Sequence, residues 1–226
     1  MTKRAAQPQE PADVPLTART QPSQSRARNT FEAVLSTAGE LLGEVGFERL
    51  STNLVCERAG MTPPALYRYF PNKYAILSEL ARRLMEAQDE MVFAWIQAGG
   101  LEAESLQEAV AKNRDMQRQV NEITRRSPGG IWIMRALRAV PLLRDIRIES
   151  RDKVAKHISE RLTAAYPGVP ASELFRSARL TTEVMYAATE MVLEEPAEDE
   201  DRINEDVCWM VAMHYQRLAE RYARKS

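Results

Sequence analysis

Residues 46–73, with the sequence GFERLSTNLVCERAGMTPPALYRYFPNK, constrain the fold more than any other part of the chain. Ser51 is a good N-cap for a helix of about two turns. Gly60 ends that helix, because glycine reaches the left-handed backbone conformation without a steric penalty. Thr62 and Pro63 then favour another short helix, since proline fits the first helical position. The pattern predicts two short helices joined by a tight turn, which is the outline of a helix-turn-helix.

A longer helix is expected just before this segment. Gly46 suits the left-handed turn that ends such a helix. Apolar residues recur upstream of it at helical spacing and form one stripe, which consists of Phe31, Val34, Leu35, Ala38, Leu41, Leu42 and Val45. We place a three-helix domain at residues 28–76.

The third helix of this domain is predicted to have one buried and one outward face. Leu66 and Phe70 are four residues apart and should point into the small core. Pro64, Ala65, Tyr67 and Arg68 then point away from it. A small residue, a tyrosine and an arginine on one face suit contact with the DNA major groove, where an arginine can pair with guanine or bind a phosphate.

Other residues around this helix are candidates for phosphate contacts. Helix N-termini favour anions, and Ser51, Thr62 and Lys73 each lie at or next to one. The full set of predicted DNA-binding residues is Arg28, Ser51, Thr62, Pro64, Ala65, Tyr67, Arg68, Tyr69 and Lys73. Alternatives stay open, because Ser51 can be a cap without a DNA role, Arg68 can be a solvated surface residue, and the three helices can be a packing unit.

The order of residues resembles the DNA-binding region of the tetracycline-repressor (TetR) family over roughly residues 28–80. The matching positions are Ala38, Gly46-Phe47, Ser51, Ala59-Gly60, Leu66-Tyr67, Tyr69-Phe70 and Lys73. The departures from the family pattern are Phe31, Leu54, Cys56, Pro64 and Tyr74. The resemblance implies operator binding by a dimer, a small-molecule effector pocket in the larger domain, and dimer contacts through the last two helices.

Composition indicates an ordinary soluble globular protein. The chain has 226 residues, of which 44% are hydrophobic and 28% are charged. Residues 1–83 contain 11 Lys and Arg against 8 Asp and Glu, a net +3, within a chain whose net charge is −1. The first part is therefore the more basic one, as a DNA-binding region should be. We expect no membrane segment, no secretory signal and, with only Cys56 and Cys208, a reduced cytoplasmic setting.

The remaining sequence reads as helices and no strands. Residues 1–27 are rich in proline and polar residues and are expected to be a disordered, mildly basic arm, either a DNA-seeking arm or an inert tail. Helices are expected at about 73–97, 103–126, 131–139, 142–166, 171–195 and 201–223. The predicted fold is all-α, with about nine helices in two parts, the second of which covers residues 77–226 and should sense a ligand and dimerise.

Two apolar stripes on the last two helices are candidates for a two-fold, four-helix interface. The predicted interface residues are Leu174, Ala178, Thr181, Met185, Ile203, Val207, Met210, Val211, His214 and Leu218. The alternative is that both stripes face the core of their own chain. Dimerisation is favoured because a helix-turn-helix that reads two half-sites about 34 Å apart needs a two-fold partner.

Large, soft and aromatic residues in the middle helices are candidates for a ligand pocket. The predicted pocket residues are Met91, Trp95, Met116, Trp132, Met134 and Tyr186. Methionine adapts to irregular cavities, and tryptophan and tyrosine each carry one polar group. The same residues are also typical of a plain hydrophobic core.

Motifs for catalysis, metal binding and nucleotide binding are absent from the sequence. It contains two histidines and none of the spacings typical of zinc sites, phosphate-binding loops or nucleophile elbows, so no metal and no cofactor is expected. We expect a homodimeric transcriptional regulator and not an enzyme. It should be a repressor that a small, largely apolar effector releases from double-stranded operator DNA. The alternatives are an all-α interaction protein without DNA binding and, less favoured, an all-α enzyme.

Overall fold

The computed structural model describes residues 14–20, 25–195 and 199–223. Within these ranges the chain is helical and contains no strand, which confirms the predicted all-α fold class. A short 3₁₀ turn, Pro141–Leu143, precedes the seventh helix. The helices are α1 (Ser25–Arg49), α2 (Thr52–Ala59), α3 (Pro63–Tyr67), α4 (Lys73–Gln97), α5 (Leu106–Arg126), α6 (Gly130–Ala139), α7 (Arg144–Ala165), α8 (Ala171–Glu194) and α9 (Glu200–Ala223).

The residues predicted to cap or end the first helices do so in the structure. Gly46 has a φ of 74°, which breaks the helical path near the end of α1. The Ser51 hydroxyl accepts a hydrogen bond from the Leu54 amide and caps α2. Gly60 ends α2 in the left-handed conformation with a φ of 62°, and its amide donates to carbonyl groups of the last turn.

The third helix is shorter than predicted. α3 has five residues and ends at Tyr67, so Phe70 lies beyond the helix. Leu66 and Phe70 are nevertheless both fully buried, as predicted, because the amides of Tyr69 and Phe70 bond back to the Leu66 carbonyl and turn the chain inward. The helix predicted at about 142–166 is α7, which begins at Arg144 because the 3₁₀ turn Pro141–Leu143 occupies the preceding residues.

α4 belongs to both parts of the molecule. It has 25 residues and is therefore about 37 Å long at ~1.5 Å per residue. Its first half buries Ile76, Leu77 and Leu84 in a core shared with α1, α3 and α6. Its second half buries Val92 and Ile96 in a separate core formed with α5, α7, α8 and α9.

Part of the N-terminal arm, residues 14–20, packs on the rest of the protein, although the arm was expected to be disordered. Residues 14–20 lie against the helix-turn-helix, where the Asn72 side-chain amide donates to the Pro15 carbonyl at 3.0 Å. The Arg19 amide donates to the Tyr69 carbonyl at 2.7 Å. Residues 25–27 already belong to α1. The arm residues 1–13 and 21–24 lie outside the described residues.

Glycines allow α1 to touch the turn between α5 and α6. A Cβ atom on Gly39 would lie 2.6 Å from the Pro128 carbonyl oxygen, and one on Gly129 would lie 2.5 Å from the Gly39 carbonyl oxygen. Real Cβ atoms do not approach backbone this closely. This contact joins the three-helix domain to the larger one without a side chain between them.

We predict that Gly39→Ala lowers the thermal stability. The added methyl meets backbone that cannot move aside, and overpacking of this kind costs about 1–3 kcal/mol. Gly43→Ala on the same helix is the matched control, because its Cβ would meet only the half-buried Trp132 ring at 3.3 Å. Thermal unfolding followed by circular dichroism should show a lower Tm for Gly39→Ala alone. An equal change in both variants would contradict the proposed backbone contact.

Candidate nucleic-acid interface and internal cavity

Most of the predicted DNA-binding residues around α3 are open to solvent. Thr62, Pro64 and Arg68 are exposed, and Ala65 is half-buried. Tyr67 retains 37% exposure. The opposite side of the helix is closed by Leu66, which is fully buried. The arrangement leaves one face of α3 available for contact with another molecule.

The hydroxyl of Tyr67 is held by the neighbouring helix. It lies 3.0 Å from Thr52 Oγ1 at the start of α2. Arg58 and Glu44 form a two-pronged ion pair at 2.8 and 2.7 Å that links α2 to α1, and the guanidinium lowers the pKa of the Glu44 carboxyl. These contacts fix the three helices relative to one another. Thr52 was not among the residues predicted from the sequence, because its importance depends on a contact across 15 positions.

Tyr69 is a correction to the predicted interface. Its side chain is 4% exposed and packs edge-on against Phe31, with ring centres 5.9 Å apart. From the sequence, Tyr69 was predicted to be a DNA-binding residue, although it was not among the residues assigned to the outward face of the helix. Because α3 ends at Tyr67, the chain turns and carries Tyr69 into the core.

The predicted phosphate-binding residues near α3 differ in their exposure and in their hydrogen bonds. They are Ser51, Arg28 and Lys73. Ser51 is exposed, and its hydroxyl is already used as the cap of α2. Arg28 is exposed on the first turn of α1. Lys73 is half-buried, donates to the Phe47 carbonyl at 3.1 Å and lies 4.5 Å from the centre of the Phe47 ring. Its ammonium group has three N–H donors, so this one bond leaves others for a phosphate.

A cavity of about 60 Å³ lies inside the larger domain between α4, α5, α7, α8 and α9. Three of the six predicted pocket residues line it, namely Trp95, Met116 and Tyr186. The walls are mainly apolar. Methionines on two facing helices, Met116 and Met185, can change conformation and enlarge the space.

The other three predicted pocket residues do not line this cavity. Met91 is half-buried on the outer side of α4, although it still packs against the second core. Trp132 faces α1 near Gly43 and stacks with Arg135. Met134 is buried in the first core, beside α1 and α4. Residue type alone could not separate these positions from the cavity wall, since all three are apolar residues of amphipathic helices.

Two polar residues of α4, Gln88 and Asp89, line the cavity and were missed by the sequence analysis. Asp89 accepts a hydrogen bond from the Ser150 hydroxyl at 2.7 Å. The Lys153 ammonium lies 3.7 Å from the other carboxylate oxygen. Burial raises the pKa of the Asp89 carboxyl to about 6, despite these partners. The sequence signal that could have identified them is the presence of two adjacent polar residues in the apolar half of α4.

Most of the predicted dimer stripe faces the protein's own core. Leu174, Ala178, Thr181, Met185, Val207, Val211 and Leu218 are buried within the chain. Ile203 and His214 are half-buried, whereas Met210 is 59% exposed. On the outer face, Met210 of α9 is joined by three exposed apolar residues that were not predicted, namely Leu180 and Met191 of α8 and Met213 of α9. We call these four residues the outer α8–α9 patch.

The described part of the chain holds no group of three or more His, Cys, Asp or Glu side chains that could bind a metal ion. In the same residues, none of the helices combines the length and apolar character that a membrane span requires.

Comparison with known sequences identifies the three-helix region and the start of α4. Residues 34–80 match the model of the tetR family of bacterial regulatory proteins. The class C tetracycline repressor of Escherichia coli is 50% identical over 54 residues, which are 24% of this chain and 25% of the repressor. The class A tetracycline repressor from transposon 1721 in Escherichia coli is 44% identical over 52 residues. The match covers 23% of this chain and 24% of that repressor. The chain thus aligns with about a quarter of the length of these relatives.

Solved structures resemble the chain over most of its length. A TetR-family transcriptional regulator from Streptomyces coelicolor covers 84% of this chain and 99% of its own, with a TM-score of 0.56 and 21% identity. The complex of SmeT with triclosan covers 82% of this chain and 91% of its own, with a TM-score of 0.62 and 18% identity. At such identities the likeness is one of fold. Residues 34–80 are thus similar to the tetR family of bacterial regulatory proteins, and the chain as a whole shares the fold of these solved structures.

Proposed function

We propose that the protein is a sequence-specific DNA-binding transcriptional regulator that acts as a homodimer in the cytoplasm. The observation that carries this proposal is that the family match falls on residues 34–80, whose third helix presents an open face to solvent. We further propose that it is a repressor, which a small, largely apolar effector releases from operator DNA.

The exposed residues of α3 are proposed to enter the major groove. Arg68 is the candidate for base recognition, because a guanidinium can bind guanine O6 and N7 together. Thr62, Pro64, Ala65 and Tyr67 supply a surface of suitable shape beside it. Arg28, Ser51 and Lys73 are proposed to bind phosphates on either side, where they fix the register of the protein on the duplex.

The outer α8–α9 patch supports a revised dimer interface. Four large apolar side chains exposed on two adjacent helices are unusual for a monomer surface. Two copies related by a two-fold axis would bury them in a four-helix contact. Of the interface residues predicted from the sequence, Met210 keeps its proposed role, and Leu180, Met191 and Met213 join it.

The internal cavity supports an effector site in the larger domain. SmeT, which shares the fold, has been solved with triclosan bound. In our proposal the effector favours an arrangement in which α4 tilts the three-helix domains of the two protomers. Their spacing then no longer fits the two half-sites of the operator. The effector must bind this state more tightly than the DNA-bound state, because equal affinity for both would leave their populations unchanged.

The other two function classes have less support. An interaction protein without DNA binding would also expose the outer α8–α9 patch, but it would not need a tetR-type region at residues 34–80. An enzyme would need reactive groups around the cavity, whose walls are mainly apolar. Binding of a two-fold DNA site separates these alternatives from a regulator.

We predict that Arg68→Ala weakens operator binding about five- to a hundredfold, the range expected for one base-reading arginine. It should also relax the base preference at one position of each half-site. Arg126→Ala is the control, because Arg126 is a solvent-exposed arginine of α5 on the other domain. Fluorescence anisotropy with an operator selected from genomic fragments, repeated with each base changed, measures both effects. Equal affinities for the two variants would reject the role of Arg68.

We predict that the double variant Leu180→Glu, Met210→Glu is monomeric. Each glutamate would have to bury an unpaired carboxylate in the dimer contact, which is strongly unfavourable. Ala164→Glu adds the same charge to an exposed position of α7 and should remain dimeric. Analytical ultracentrifugation at micromolar concentration distinguishes the two states. A double variant that stays dimeric would place the interface elsewhere.

A further inference from the structure

The hydroxyl groups in the cavity wall already donate their protons to hydrogen bonds within the protein. Thr181 and Thr182 donate to backbone carbonyls of the preceding turn of α8. Because the Thr181 proton is committed, the Tyr215 hydroxyl is the donor in their 3.2 Å contact. None of these three hydroxyls has a proton left for a molecule inside the cavity.

The tyrosine on the other side of the cavity is committed in the same way. The Tyr186 hydroxyl lies 3.1 Å from Ser150 Oγ, and Ser150 gives its own proton to Asp89. Tyr186 must therefore be the donor to Ser150. The result is a chain of hydrogen bonds from Tyr186 through Ser150 that ends on a carboxylate oxygen of Asp89.

Two residues of α4, Gln88 and Asp89, place hydrogen-bond acceptors in the cavity wall. The Gln88 side chain is 2% exposed and donates to Thr124 Oγ1 at 2.7 Å, which leaves its carbonyl oxygen Oε1 buried without a partner. A buried acceptor without a partner costs about 1–3 kcal/mol, so a bound molecule that donates to it is favoured. The next residue, Asp89, is 3% exposed and brings an acidic group to the same cavity.

We propose that the cavity binds a small apolar amine, whose protonated nitrogen donates hydrogen bonds to Gln88 Oε1 and the Asp89 carboxylate while its hydrocarbon part fills the space between Met116 and Met185. The proposal rests on the proposed function only in calling this molecule the effector. A carboxylate ligand in the same position would face the Asp89 carboxylate and the Gln88 oxygen, both of which are acceptors. An ether or a hydrocarbon would leave Gln88 Oε1 unpaired.

The test measures direct binding by calorimetry in the absence of DNA, so that it does not depend on operator recognition. The probes are n-hexylamine, 1-hexanol, hexanoate and hexyltrimethylammonium, which share a chain and differ in the end group. We expect n-hexylamine to bind at least about tenfold more tightly than 1-hexanol, the ratio given by one charge-assisted hydrogen bond. Hexyltrimethylammonium, which has the charge but no N–H, should bind more weakly than n-hexylamine. Equal affinities for amine and alcohol, or preferred binding of hexanoate, would overturn the proposal.

Two variants assign the preference to this site. Asp89→Asn keeps an acceptor for Ser150 and removes the charge, so it should abolish the preference for amine over alcohol. Gln88→Leu removes the unpaired oxygen at similar volume and should weaken both of these ligands. Glu86→Gln is the control, because it removes a neighbouring carboxylate of α4 that pairs with Arg82 outside the cavity. Circular dichroism checks that each variant is folded, and an amine preference that survives in Asp89→Asn would contradict the assignment.

The amine preference should also depend on pH. The charged and titratable groups around Asp89 are Lys153 of α7, Tyr186 of α8 and Glu86 of its own helix. As the pH falls below about 6, Asp89 takes up a proton and the charge that attracts the amine is lost. The affinity of n-hexylamine should therefore fall between pH 7.5 and pH 5, whereas that of 1-hexanol should stay constant. Parallel changes for both ligands would speak against Asp89.

A second inference concerns the segment 14–20 and rests on different contacts. The Arg19 guanidinium donates to the carbonyl of Tyr67, the last residue of α3, at 3.1 Å. Its backbone amide donates to the Tyr69 carbonyl. A helix of five residues is not stable by itself, and its last carbonyls lack partners within the helix. A cation at this end is also favoured by the helix dipole.

We infer that Arg19 is a positioning residue, which holds α3 in its reading orientation from outside the helix-turn-helix. Arg19→Ala should weaken operator binding about two- to fivefold, as expected for one cation at a helix C-terminus. The slope of log K against log salt should stay the same, because a positioning residue neutralises no phosphate. A direct phosphate contact would instead reduce that slope by about 0.9.

Hydrogen exchange measures the positioning without DNA. The amides of Arg68, Tyr69 and Phe70 close the end of α3 and should exchange faster in Arg19→Ala. Deletion of residues 1–20 should show the same effect more strongly, whereas deletion of residues 1–13 is the control that leaves the segment in place. Unchanged exchange, or a reduced salt slope, would overturn this role for Arg19.

Discussion

Burial of α4 in two separate cores is the constraint on which the rest of the structure depends. The residues after Asn72, which caps the helix, pack with the three-helix domain, and the residues after Gln88 line the cavity. No flexible linker separates the two cores, because one run of backbone hydrogen bonds passes through both. A rotation of the second half of α4 must therefore move the first half. The contact of Gly39 with Pro128 adds a second connection between the same two parts.

Sequence reasoning succeeded where the physical cause is local. Ser51 and Gly60 act on the backbone within a few residues of themselves, and their effects on helix ends appear in the structure where they were expected. The helices of the larger domain were also found within a few residues, because glycine and proline mark most of their ends. Residue identity and spacing are sufficient for such features.

Sequence reasoning failed where the role of a residue depends on which side of its helix packs against which neighbouring helix. α8 and α9 carry apolar residues on more than one side, so their periodicity could not distinguish the buried stripe of Leu174 and Val207 from the outer α8–α9 patch. Tyr69 was predicted to contact DNA, but α3 ends at Tyr67 and the chain then turns Tyr69 into the core. Gln88 acquires its importance because its own carbonyl oxygen is buried without a partner, and that property is not visible in any motif.

The central claim is that two copies of the open α3 face read a two-fold DNA site. Footprinting of fragments selected from genomic DNA by the purified protein tests this most directly. Two protected half-sites related by a two-fold axis are expected, with centres about 34 Å apart or a multiple of that distance. Fragments that are retained without any shared sequence or symmetry, or no retained fragment at all, would contradict the claim.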